Sequence, residues 1–142
     1  LKKLTLLLLA NLACMSALAG TSLSGTIDEV LRSGADATLP PNLSSVLGLA
    51  KPGQATSVKQ LIFRRGQTVH AFNVDPAHRH EIVLFAADEA AKMTTAYLMT
   101  PAGRLRKVVT YANGSAPVTI PRAHAQKDFA AERDAWLSVR TP

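Results

Sequence analysis

The chain has 142 residues, 47% hydrophobic and 18% charged, a balance that suits one folded domain and excludes a disordered chain. Its net charge of +6 comes from 16 Lys and Arg against 10 Asp and Glu, dispersed along the sequence with no nucleic-acid arm or polybasic tail. Aromatic residues make up 5% and there is one Cys, so neither a base-stacking platform nor a disulfide-stapled miniature fold is expected.

The first nineteen residues read as a secretory leader. Lys2 and Lys3 supply its positive end, Leu4 to Ala13 an apolar core too short to span a bilayer, and Ala17-Leu18-Ala19 the small residues that signal peptidase accepts before Gly20. Cys14 offers a rival, the acylated cysteine of a lipoprotein. Asn11 and Leu12, however, stand where that pattern prefers Leu and a small residue. On this reading residues 20–142 form a single mature domain, periplasmic or extracellular, with no transmembrane span. Losing Lys2 and Lys3 with all ten carboxylates retained lowers the charge from +6 to +4. The only Cys leaves too, which removes thiol chemistry and disulfides from the mature protein.

Residues 20–57 are expected to be helical or looped. Thr26-Ile27-Asp28-Glu29 fits a capping box opening a helix that runs to Ser33, with Ile27, Val30 and Leu31 as its stripe and Gly34 as a left-handed exit. A second short helix is expected over Asn42 to Leu47, stopped by Gly48.

Between 58 and 112 the pattern turns to short β-type runs, and five strands are predicted, at 58–65, 68–74, 80–86, 94–100 and 105–111. Gly66-Gln67 suits a two-residue type II′ hairpin. That turn sets Arg65 opposite Thr68, Phe63 opposite His70, Leu61 opposite Phe72 and Lys59 opposite Val74. One face then carries Leu61, Phe63, His70, Phe72 and Val74. The other is half apolar, with Ile62, Val69 and Ala71 beside Gln60, Arg64 and Asn73. Every connection is short, which makes the sheet an antiparallel β-meander.

Residues 117–121 read as a linker to a C-terminal helix over 121–139, whose apolar stripe is Ala125, Phe129, Ala130, Trp136 and Leu137, with Lys127, Asp128 and Glu132 assigned to the outer face. The predicted fold is α+β: a five-stranded antiparallel meander, the C-terminal helix packed on one face, and one or two short N-terminal helices.

Chemistry is sparsely signalled. Asp75, His78 and His80, with His70 more distant, have ligand types for zinc or copper but no certain third ligand, so no metal ligand is assigned. Catalytic motifs are absent from the sequence, so no catalytic residue and no cofactor is expected. Arg64, Arg65, Arg104, Arg106 and Lys107 fall on the first and last predicted strands, where charge guards sheet edges or docks an anionic surface. The functional expectation is an exported, non-enzymatic binding module whose partner is a protein or an anionic envelope ligand rather than nucleic acid, with a homo-oligomer open. The alternatives are a small histidine-based metal binder, or an enzyme with a pocket between helix and curved sheet.

Overall fold

The computed structural model describes residues 22–77, 80–112 and 114–139, and for Val139 its backbone alone. The predicted leader, Cys14 included, lies outside the described residues, as does His78. In chain order the elements are α1 (Leu23–Ser33), β1 (Ala35–Leu39), α2 (Pro41–Val46), β2 (Thr56–Arg65), β3 (Thr68–Val74), β4 (Ile82–Asp88), β5 (Met93–Met99), β6 (Leu105–Ala112), β7 (Val118–Ile120) and α3 (Arg122–Val139). The strands form one antiparallel sheet in the order β1 to β7, each paired with its sequence neighbour.

The α+β class, the antiparallel sheet and the C-terminal helix match expectation, but the sheet has seven strands rather than five. The hairpin register is the predicted one, Arg65 opposite Thr68 through Lys59 opposite Val74, with Gly66 at φ +62° as its turn requires. The two extra strands flank the five. β1 pairs Ala35 with Gln60 through Leu39 with Thr56. β7 pairs Val118 to Ile120 with Thr110 to Val108, so the predicted linker is in fact an edge strand. β2 and β6 are therefore interior, and the sheet edges are five and three residues long.

Helix α1 starts three residues before the predicted capping box. Ser22 is its N-cap, accepting from the Gly25 N–H, while Thr26 lies inside the helix and donates its hydroxyl to Ser22 O. Gly34 is extended, at φ −71°, so the predicted left-handed exit is not there. Its glycine answers a different need. An added Cβ would lie 2.4 Å from Val30 O and 2.9 Å from Gln60 N, because the chain leaves α1 directly against the β2 backbone to begin β1.

Alternation divides the buried residues between two faces. On the first, Phe72, Val74, Ile82, Leu84, Tyr97, Met99 and Val108 meet Ile27 and Val30 of α1 and Ala125, Phe129 and Trp136 of α3. On the second, Leu39, Val58, Val83, Ala96, Leu98 and Val109 meet Leu43 and Leu47, from α2 and its C-cap. β4 is buried on both sides through Ile82, Val83 and Leu84, as befits the middle strand of seven. Asn73, fully buried on the second face, accepts from Gln60 Nε2 at 2.8 Å and donates to Val83 O at 3.1 Å. Its amide thus bridges three strands, which offsets the cost of taking it out of water.

Candidate functional site

The five basic residues do not gather into one patch. Arg64 pairs with Glu89 at 2.5 and 3.2 Å. That hydrogen bond raises the guanidinium pKa and lowers that of the carboxylate. Lys107 donates to Val46 O at 2.5 Å, tying β6 to α2. Arg106 reaches Glu81 at 3.3 Å, from the β5–β6 register shift that leaves it unpaired in the ladder. Arg65 sits 5.4 Å from the Phe63 ring centroid, on the first face. Arg104 is exposed beside the Thr100 turn, its backbone N–H bonded to Thr100 Oγ1.

Of the candidate metal ligands, Asp75 and His80 lie in the connection between β3 and β4. Asp75 Oδ1 accepts from the Ala77 N–H, and His80 Nε2 lies 3.7 Å from Glu81. His70 belongs to the other end of β3. Among the described residues, no three His, Cys, Asp or Glu side chains come together to hold a metal, and no helix is long and apolar enough to cross a membrane.

What the fold does assemble is a pair between β3 and α3. His70 Nδ1 lies 2.9 and 2.7 Å from the two oxygens of Glu132. The side chains are only 12% and 6% exposed. Phe63 stacks on the imidazole with centroids 4.5 Å apart. His70 beside Phe63 follows the predicted register, but Glu132 is a correction: it faces inward, not outward. Its signal was available, since residues 125, 129, 132 and 136 fall on one helical stripe. Nδ1 is thus committed to Glu132, and the His70 side chain keeps 12% of its surface open.

Tyr97 stands beside the same carboxylate. Burial, then the negative charges of Asp128 and Glu132, push its phenol up to about 12. Tyr111, on the second face, is raised by burial, partly countered by a hydrogen bond from the Thr94 side chain. These are the only two tyrosines, so phenolate absorbance should stay low in the folded protein near pH 10 and rise on unfolding at that pH. Both phenols hold their protons more tightly when folded, so their contribution to stability is intact below about pH 10 and fades above it, that of Tyr97 as pH climbs toward about 12. An ordinary tyrosine titration curve centred near pH 10 in the folded state would contradict this.

The second face offers a surface of another kind. α2 has six residues, and beyond its cover the cross-strand rows expose apolar groups. Ile62 is 58% exposed, with Val69, Phe85 and Ala87 half-buried nearby. The register places Ile62 in the row of Ala71 and Phe85, and Val69 and Ala87 in the row that reaches Thr94 and Tyr111. At Tyr111 this strip meets a cleft of about 360 Å³ between Pro40, Asn42 and Leu43 on one side and 114–117 on the other. The half-apolar second face of the hairpin foreshadows the strip. The cleft was missed, because it joins segments about seventy residues apart.

Protein-family models, curated proteins and solved structures were all compared with the chain, and none matches it.

Proposed function

We propose that this is an exported, non-enzymatic binding module that engages its partner through the second sheet face. The observation that carries the reading is the strip from Ile62 to Tyr111, left open by a helix too short to cover it and ending in a concave cleft. Apolar groups contiguous on an otherwise closed face are what a docking surface needs. A photo-crosslinking residue at position 62 or 87 should give discrete adducts in cells exporting the protein. The same residue at Lys127, exposed on α3, should not. Identical products from both faces, or none from either, would remove the reading. Export itself rests on the leader-like residues 1–19, and the mass of the mature N-terminus tests it by distinguishing Gly20 from an acylated Cys14.

A second reading, acid–base chemistry between α3 and the sheet, is favoured by one observation: Glu132 holds His70 through Nδ1, which leaves Nε2 as the ring nitrogen free to act as a base. His70→Asn keeps a donor for Glu132 but removes the base. Unchanged hydrolysis of a small activated ester by this variant would count against catalysis there.

A further inference from the structure

We propose that the cleft beside Tyr111 holds a neutral sugar unit, an inference that rests on the second face being the binding surface and names what it binds. The first reason is charge. Among the described residues the cleft lining carries no Lys, Arg, Asp, Glu or His, and the Arg64 guanidinium at the far end of the Tyr111 row is already held by Glu89. An ionic ligand would lose its hydration without compensation there. The second reason is the mixture of surfaces. Tyr111 offers a half-buried ring, and Leu43, Pro40 and Pro117 add apolar walls. Ser115 and Asn42 supply exposed polar groups, and Asn42 spends its oxygen on the Leu43 N–H, so its two amide donors face outward without a protein partner among the described residues.

A pyranose matches this pattern, with C–H faces for the ring and walls and hydroxyls for the amide and hydroxyl. An acyl chain would leave the polar groups unpaired. At about 360 Å³ the cleft sits near the low end of small-molecule sites, about 300–1,000 Å³, which suits one or two sugar units. The fixed φ of Pro40 and Pro117 keeps opposite walls in place before binding.

The test titrates the whole mature protein with maltotriose and with chitotriose, following backbone amide resonances. Expected is a saturable shift of the Tyr111, Ser115 and Asn42 amides by at least one of the two. Tyr111→Ala should weaken binding at least tenfold and Tyr111→Phe little, since the ring is the contact. Asn42→Ala, an exposed change that spares the core, should weaken it severalfold. Absence of shifts with both sugars, or equal affinity in Tyr111→Ala, overturns the sugar assignment. If a proline-rich peptide or a zwitterionic lipid micelle shifts these amides instead, the sugar assignment falls while the binding face stands. If the crosslinks at position 62 also fail, both fall.

Discussion

Replacing Trp136 with alanine will lower the unfolding free energy by about 3–5 kcal/mol, the range for emptying a large aromatic site in a packed core. Trp136 is 1% exposed and packs in T-shaped contact with Phe63 and Phe72, ring centroids 4.7 and 5.5 Å apart. With the Glu132–His70 pair it fastens the C-terminal half of α3 to β2 and β3. The indole also carries a cost: Nε1 is buried without a hydrogen-bond partner among the described residues. An orphaned buried donor costs about 1–3 kcal/mol. Trp136→Phe removes that donor together with part of the packing, so it should cost distinctly less than Trp136→Ala, by at least about 1 kcal/mol. Urea unfolding followed by far-ultraviolet circular dichroism is the measurement, because the chain has no other Trp to report fluorescence. Equal losses for the two variants would show that the indole nitrogen is satisfied and that the site collapses around either replacement.

The parts of the fold that the sequence made legible are those where one local signal decides a long-range consequence. Gly66 is the clearest case. A glycine at the first central position of a two-residue turn dictates the register of fourteen flanking residues, and that register in turn placed His70 beside Phe63. β1 and β7 escaped for the converse reason. Ala35 to Leu39 contains one bulky apolar side chain, and Val118 to Ile120 spans only three residues between prolines. Neither has a period of its own, and both are strands because an interior neighbour offers them a ladder. Removing β2 and β6 from the edges then removed the edge-guarding reason for their basic residues. Arg64 and Arg106 instead form cross-strand and loop ion pairs, with Glu89 and Glu81. Glu132 was misread because residue type outweighed spacing. A carboxylate on an apolar stripe looks like a surface residue until its partner, 62 positions away in sequence, is known.

That partner makes the second large effect. Truncating His70 to alanine will destabilise the fold by about 3–5 kcal/mol, the cost of leaving one member of a buried pair behind. Truncating Glu132 will cost less, about 2–4 kcal/mol, because the imidazole left behind keeps its aromatic stacking. The asymmetry follows from what is left in place. Without His70, a carboxylate that is 6% exposed loses the ring nitrogen at 2.7 Å and is left buried without that partner. Without Glu132, an imidazole remains that keeps its stacking on Phe63 and is 12% exposed. Replacing both residues with leucine should recover much of the loss, because neither a stranded charge nor an unpaired donor then remains. The double-mutant cycle should therefore show a coupling energy above about 1 kcal/mol. Strict additivity of the two truncations would mean that the pair is not joined in solution and that α3 is held to β3 by its aromatic neighbours alone. A coupled pair with the expected order, His70 above Glu132, would identify the carboxylate as the group that dictates the geometry. It would also explain why a charged residue occupies a stripe that Ala125, Phe129 and Trp136 otherwise fill with apolar surface.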